Sequence, residues 1–235
     1  MTQIRKTLVI LILLVPLSGF AQVDHQLWLD YNVNVPVNTR FSYGGDIGFR
    51  GFVSNIDWNQ IYLRPQVRYR FNSTFMLAGG IASFNTFNNV DENVNEFRIN
   101  EDFNIRWPDF GVLSLIYRLR FEHRFFYYPT LPNNSKTRVR YLAGFETQDF
   151  RLGEGKRPFY FQGMWEGFKT IGNENAYEIY INQVRLKLIF AHRLSNKIRY
   201  ELHYIAQKSR QFSEEGLETT QNIIRVRLFH RISKK

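Results

Sequence analysis

Apolar and polar residues alternate with a period of two along most of the chain. Near its start, Leu27, Leu29 and Tyr31 alternate with Trp28 and Asp30. Because successive side chains of a β-strand point to opposite faces, this alternation predicts strands. No helical period competes with it, so the chain is predicted to be all-β. About eleven such runs occur, and they cover residues 26–36, 41–52, 59–70, 75–85, 95–107, 111–124, 137–148, 158–168, 177–192, 197–208 and 220–232.

The runs are long, and the connections between them alternate in length. Many runs have 10 to 14 residues, whereas an ordinary strand has about 5–6 and a membrane-crossing strand about 9–11. Short turns on one rim and longer loops on the other are typical of outer-membrane proteins. We therefore predict a single antiparallel transmembrane β-barrel. Its short connections cover residues 37–40, 72–74, 108–111 and 195–197, and its longer ones cover 86–95, 125–136, 170–176 and 209–219.

The number of strands follows from where the chain ends lie. A barrel whose two ends share the periplasmic rim needs an even number, and eleven runs are one short. We predict about twelve strands, with the additional strand in the less regular stretches 86–95 or 149–157. Ten strands are the alternative, if one run does not cross the membrane. Side chains can fill most of the lumen of so small a barrel.

Aromatic residues collect near the ends of the predicted strands. Rings at a membrane–water boundary form such girdles. The alternative is a secreted soluble sandwich or lipocalin-like barrel, in which the rings would belong to a packed core. Ordinary strands are shorter than these runs, which favours the membrane barrel. The girdle candidates are Phe41, Tyr43, Phe49, Phe52, Trp58, Phe84, Phe87, Trp107, Phe110, Phe125, Phe126, Tyr127, Tyr128, Phe159 and Trp165.

The first 21 residues have the features of a secretory signal peptide. Arg5 and Lys6 form a positive start, an apolar run covers residues 8–17, and Ala21 ends a small-residue cleavage site. An uncleaved anchor is the alternative, but the run is too short to span a bilayer. We expect cleavage after Ala21, a barrel domain over residues 22–235, and a location in the cell outer membrane.

Composition narrows the classes of function. The chain contains no cysteine, which excludes a disulfide framework, a thiolate metal site, a cysteine nucleophile and a lipoprotein anchor. Its formal net charge is +10, and a basic excess invites a nucleic-acid interpretation. Arginines that alternate along strands of an exported chain argue against nucleic acid as a partner. Basic residues at the rims are expected to meet anionic lipid headgroups instead.

The polar face of the predicted strands carries many charges of both signs. Parity places these side chains on one face, and adjacent strands lie only about 4.8 Å apart. Arginine suits carboxylates, because its planar fork donates two parallel hydrogen bonds. Glu96 and Glu166 are further expected partners. The predicted lumen-lining charged network consists of Arg118, Arg120, Glu122, Arg138, Arg140, Glu146, Arg185, Arg199 and Glu201.

No group of residues has the pattern of a catalytic, metal or cofactor site. The five histidines lack metal-ligand spacing. An outer-membrane lipid-modifying hydrolase is the alternative function, and it needs a serine within hydrogen-bond reach of a histidine. His123 follows Glu122 but has no serine within two residues, and Ser83 on another strand would be an arbitrary partner. We predict that the protein is not an enzyme and binds no cofactor.

Several segments together resemble one family. Residues 117–124 are similar to its R-x-R-x-E-x-R strand, and residues 137–145 to the R-x-R-Y strand that follows. Residues 166–168 (E-x-F), 182–185 (N-x-x-R) and 194–204 resemble its later elements. The family is the domain of unknown function 2490, found in Gram-negative and notably Bacteroidota-type proteins, and the resemblance covers nearly all of the chain after the signal peptide. It implies an outer-membrane β-barrel without an assigned activity, and no catalytic residues carry over.

The function predicted from the sequence is that of a monomeric outer-membrane barrel. Its role is either structural or that of a narrow pore with a charged, largely occluded lumen. The expected partners are outer-membrane lipids and the machinery that inserts barrels. A lipid-modifying hydrolase and a secreted soluble β protein remain the alternatives.

Overall fold

The computed structural model of the chain describes residues 24–54, 57–89, 92–151, 153, 157–171, 183–209 and 219–232. The signal-peptide prediction therefore lies outside the described residues. No helix in the described part of the chain is long and apolar enough to cross a membrane. Its regular elements are strands of 11 to 15 residues. They are β1 (Asp24–Pro36), β2 (Phe41–Phe52), β3 (Trp58–Arg70), β4 (Phe75–Asn88), β5 (Val94–Arg106), β6 (Leu113–Tyr127), β7 (Asn134–Thr147), β8 (Phe159–Ile171), β9 (Gln183–Arg193), β10 (Ile198–Ser209) and β11 (Thr219–Arg231).

The strands close into one barrel. Strands that follow one another along the chain pair antiparallel, and β1 completes the circle by pairing parallel with β11. In this last pair, His25 lies opposite Asn222 and Asn34 opposite Arg231. The predicted all-β antiparallel barrel is therefore confirmed, apart from the one parallel pair between β1 and β11.

The described residues form eleven strands, a number between the predicted twelve and the alternative of ten. An odd number of strands that alternate in direction brings the first and last together pointing the same way, so this pair is parallel. The expectation that both ends share one rim does not hold for β1 and β11. Residues 86–88 belong to β4 and 94–95 to β5, while the described part of 149–157 contributes a bridge from Phe150 to Phe159.

The connections fall on two rims. We name the loop rim after the connections 53–57, 89–93, 128–133, 172–182 and 210–218, and the turn rim after 37–40, 71–74, 107–112, 148–158 and 194–197. The shortest connections, 37–40, 71–74 and 194–197, lie on the turn rim, as the sequence predicts. The alternation in length is otherwise incomplete, because 53–57 and 89–93 on the loop rim are shorter than 107–112 and 148–158 on the turn rim.

Three of the tight turns use the same side-chain device. The Oδ1 atom of Asn38 accepts hydrogen bonds from the backbone N–H groups of Arg40 and Phe41. Asn72 and Ser195 accept equivalent pairs in their own turns. Short polar side chains of this kind satisfy turn backbone that has no strand partner.

The two faces of the barrel wall have opposite character. Outward positions carry exposed apolar side chains such as Leu29 and Leu119, whereas inward positions carry buried charges such as Glu122. Phe84, one of the girdle candidates, lies inside the barrel, where it is buried and stacks on Tyr62. The exposed girdle candidates include Tyr43, Phe49, Phe87, Trp107, Phe110, Tyr127 and Trp165.

Candidate functional site: the charged lumen

The alternation of side chains along each strand determines which residues form the inner wall. Even-numbered residues of β1–β8 and odd-numbered residues of β9–β11 alternate inward, as the burial of Asp30, Glu166, Lys187 and Glu201 illustrates. All nine residues of the predicted charged network occupy inward positions of β6, β7, β9 and β10. Most of their contacts are made with one another or with other inward residues.

Glu122 on β6 is the first centre of this network. Its side chain is 2 % exposed and accepts hydrogen bonds from Arg138 and Arg140, which lie on the neighbouring strand β7. The Arg140 Nη1 atom lies 2.7 Å from Glu122 Oε1. Arg120, two residues before Glu122 on the same face, comes within 3.7 Å of the same carboxylate.

Glu166 on β8 is the second centre, and its side chain is 0 % exposed. It accepts from Arg118 Nη2 at 2.6 Å, from Arg140 Nη2 at 2.7 Å and from Lys187 Nζ. Because Arg140 also contacts Glu122, the two centres form one continuous cluster that spans β6 to β9. A lone buried charge would cost several kcal/mol, so each member depends on the others.

Asp102 extends the cluster to β5. It lies directly opposite Arg120 and accepts from both Nε and Nη2 of that guanidinium. Two parallel hydrogen bonds of this kind are the geometry that arginine forms best with carboxylates. The predicted network did not include Asp102, although it shares the parity of the arginines that it neutralises.

A separate set of ion pairs crosses the seam between β1 and β11. Asp30 on β1 accepts from Arg225 and lies 3.5 Å from Nε of Arg227, both on β11. The Tyr62 hydroxyl also donates to Asp30, and Arg64 forms a two-point contact with the nearby Asp46. The contact between Asp30 and Arg225 joins residues 195 positions apart in sequence.

Close packing at this seam requires a glycine. Gly48 lies on β2 between Asp30 and Tyr62 in the paired strands. A Cβ atom at position 48 would lie 2.5 Å from Asp30 Oδ1 and 2.6 Å from the Tyr62 ring. The absence of a side chain here is therefore what allows the buried carboxylate and phenol to meet.

The remaining predicted network residues have separate partners. Arg199 Nη2 lies 3.0 Å from Glu201 Oε1, and the other carboxylate oxygen of Glu201 contacts His203. Glu146 pairs with Arg106 near the turn rim. Arg185 has no carboxylate within ion-pair distance among the described residues, and it differs in this from the rest of the predicted set.

Aromatic rings also line the lumen. Trp28, Tyr62, Phe84 and Phe168 are all buried on the inner wall. Guanidinium groups lie over each of them, and Arg98 has the shortest such distance, 3.7 Å from its Cζ to the Phe84 centroid. The alternation already placed Trp28 and Tyr62 on the polar face of their strands. Phe84 was predicted to belong to the girdle because it is aromatic and near a strand end, although its parity matches that of the inward arginines.

The candidate catalytic residues do not come together. Ser83 lies on β4 and His123 on β6, and these strands are separated by β5. His123 contacts Thr137, and the buried His203 contacts Glu201 with no serine among its strand partners. Within the described residues, no group of three or more acidic or histidine side chains is placed to hold a metal ion.

Comparison with known proteins places the chain in a family. Residues 25–234 match the model of the family described as "Protein of unknown function (DUF2490)". The match covers all eleven strands apart from the first residue of β1. No curated protein and no solved structure matches the chain.

Proposed function

We propose that this chain, which belongs to the DUF2490 family, is an outer-membrane β-barrel of Gram-negative bacteria, exported with residues 1–21 as a cleaved signal peptide. It is a monomer that contacts outer-membrane lipids and is placed there by the barrel-insertion machinery. Its role is structural or that of a narrow pore, and it is not an enzyme.

The observation that carries this proposal is the exposed apolar outer wall. Leu115, Ile47 and Leu186 are between 43 % and 54 % exposed, and such residues recur at outward positions around the barrel. Soluble monomers rarely expose contiguous apolar patches larger than a few hundred Å². A bilayer removes this surface from water, and a closed barrel leaves no unpaired strand edge within it.

The inner wall argues against a secreted lipocalin-like barrel. A soluble barrel places its apolar side chains inside and its polar ones outside. Here Glu122 and Glu166 are buried inside while Leu119 and Val226 are exposed outside. This inversion is the arrangement of a barrel whose exterior solvent is lipid.

Fractionation and gel mobility test the proposed location. The full chain, expressed in a Gram-negative host, should be recovered with outer membranes, and detergent extraction should be needed to release it. The folded barrel should migrate differently on a gel before and after boiling in detergent. Recovery in the soluble periplasmic or secreted fraction would contradict the proposal and favour a secreted β protein.

Conductance tests the proposed occlusion of the lumen. The cluster around Glu122 and Glu166 occupies the middle of β6 to β9, so planar bilayers should show little current through the intact protein. Joint replacement of Arg118, Arg120 and Arg138 by serine should open a measurable conductance. Large, steady, anion-selective currents from the unmodified protein would contradict occlusion and indicate a porin.

Turnover assays test the non-enzyme proposal. Purified folded protein in detergent should show no lipase or deacylase activity on phospholipid or lipid A. Activity that is lost in His123→Ala or His203→Ala, with the barrel still folded by gel mobility, would overturn this proposal. The outer-membrane hydrolase would then be the better description.

A further inference from the structure

The central cluster of the lumen contains more cations than carboxylates. Glu122 and Glu166 each contact three cationic side chains, and Arg140 is shared between them. Counted over the residues joined by these ion pairs, the cluster sets five cations against three carboxylates. They are Arg118, Arg120, Arg138, Arg140 and Lys187 against Asp102, Glu122 and Glu166.

Two arginines beside this cluster are held by rings and amides instead of carboxylates. The Cζ atom of Arg185 lies 4.7 Å from the Phe168 centroid and 5.2 Å from that of Trp28. Arg50 lies 4.3 Å from the Trp28 centroid and 4.7 Å from that of Tyr62. Neither has a carboxylate at ion-pair distance within the part of the chain that the structure describes.

The hydrogen bonds of these two arginines leave donors unused. Arg185 donates from Nε to the amide oxygen of Gln207, and Arg50 donates from Nη1 to that of Gln60. The Nε atom of Arg50 is buried and has no partner among the described residues. Stacking on a ring fixes the plane of a guanidinium and leaves the N–H groups along its edge free to bind a ligand.

These groups share one region of the lumen. Arg185 is the third residue of β9 and Phe168 lies near the end of β8, so both are close to the loop rim. Trp28 is the fifth residue of β1, which starts at the same rim. Arg50 and Arg185 are only partly buried as whole residues, but the Nε atom of Arg50 is itself buried, so a ligand would have to enter the lumen from that side to reach it.

We propose that this region binds an anion of the phosphate class, held by Arg50 and Arg185 beside Trp28. A surplus of buried positive charge is unfavourable unless a counter-charge accompanies it. The arginine fork matches the geometry of phosphate oxygens, and an oxyanion with more than one negative charge offsets the surplus better than chloride. The site depends on the closed barrel alone, so it stands whether or not the proposed membrane location does.

Titration of the folded full-length protein in non-ionic detergent tests this site. Inorganic phosphate should bind saturably by calorimetry and change the fluorescence of Trp28. In Trp28→Phe the fluorescence change should disappear while calorimetric binding persists. Absence of saturable binding of any phosphate group to folded protein would overturn the proposal.

Matched variants separate a defined site from general charge attraction. Arg185→Gln should weaken phosphate binding at least about tenfold, since hydrogen bonds to charged groups are strong. Arg68→Gln is the control, because Arg68 is an inward arginine that donates to Asn34 near the turn rim and stacks on no ring among the described residues. The affinity of Arg68→Gln for phosphate should stay within about twofold of that of the parent protein. Equal losses in both variants would show that only the overall charge of the lumen matters.

Two further measurements identify the source of the phosphate and distinguish loss of the site from misfolding. Mixed micelles with phosphatidylglycerol should bind no better than inorganic phosphate if the ligand is a free solute, and better if the ligand is a lipid headgroup. Either result supports the phosphate site. Arg185→Lys keeps the charge without the fork, so it should bind with intermediate affinity. Unchanged affinity in both Arg185 variants, with heat-modifiable mobility intact, would overturn the site.

Discussion

The outer and inner walls of the barrel are built from the same strands but obey different rules. On β6, Leu119 faces outward and is exposed, while its neighbour Arg120 faces inward and is buried. The outer wall needs only apolar character, because the lipid proposed to surround it is uniformly apolar. The inner wall needs particular partners, because its buried charges are stabilised by specific neighbouring side chains, as Arg120 is by Asp102.

This difference predicts unequal tolerance to substitution. A change on the outer wall that keeps apolar character should leave the free energy of unfolding nearly unchanged. A change on the inner wall that removes one charge should lower it, because the remaining charges lose their partner. The strongest test therefore removes a carboxylate that several cations share.

Glu122→Ala is expected to have the largest effect. It removes the counter-charge of Arg138 and Arg140 from a buried site, and an uncompensated buried charge costs about 3–5 kcal/mol. The free energy of unfolding by urea, measured on the detergent-folded barrel, should fall by that amount.

Asp149→Ala is the matched control for that change. Asp149 pairs with Arg193, but both side chains are more than 40 % exposed, and exposed pairs contribute about 0.2–1 kcal/mol. A loss in Glu122→Ala no larger than the loss in Asp149→Ala would contradict the dependence of the cluster on its partners.

Parity explains why the inner residues could be predicted and their individual pairings could not. Alternation along β6, β7, β9 and β10 identified the face of Arg118, Arg138 and Arg185 without any knowledge of the strand order. Partnership depends on the register between strands, which alternation does not encode. The pairing of Asp30 with Arg225 also needs the closure of β1 on β11, and the assumption of an even strand number obscured that closure.

The outer wall, which is proposed to face lipid, provides the second test. Leu119→Arg places a charge near the middle of β6 on the proposed lipid face, and it should cost about 2–4 kcal/mol in a bilayer. Met76→Arg, at a half-buried inward position near the turn rim, should cost much less. Urea unfolding in lipid vesicles measures both, and equal costs would mean that the outer wall does not face lipid.

Gly48 provides a test of packing on the inner wall. An alanine there would press its Cβ atom against Asp30 and Tyr62, and overpacking typically costs about 1–3 kcal/mol. Gly79→Ala on the outer wall is the control, because its nearest contact would be 3.9 Å away. Gly48→Ala should lower the urea midpoint and Gly79→Ala should not; the reverse order would contradict the described packing of Asp30 against Tyr62.

Glu101 is an acidic residue on the largely apolar outer wall, and its replacement should have the smallest effect on stability and the opposite sign. Among the described strands it is the one acidic residue at an outward position, exposed near the middle of β5 between Gly79 and Phe121. An acidic side chain on a lipid-facing wall is mildly unfavourable, so Glu101→Leu should raise the free energy of unfolding in lipid vesicles by about 1 kcal/mol. If the protein were a water-soluble barrel, no such gain in stability would be expected, because an exposed carboxylate is well solvated by water. A loss of stability in vesicles would instead mean that Glu101 serves as an anchor for a cationic group at the barrel exterior, and the outer wall would then require a specific partner at this one position, as the inner wall does throughout.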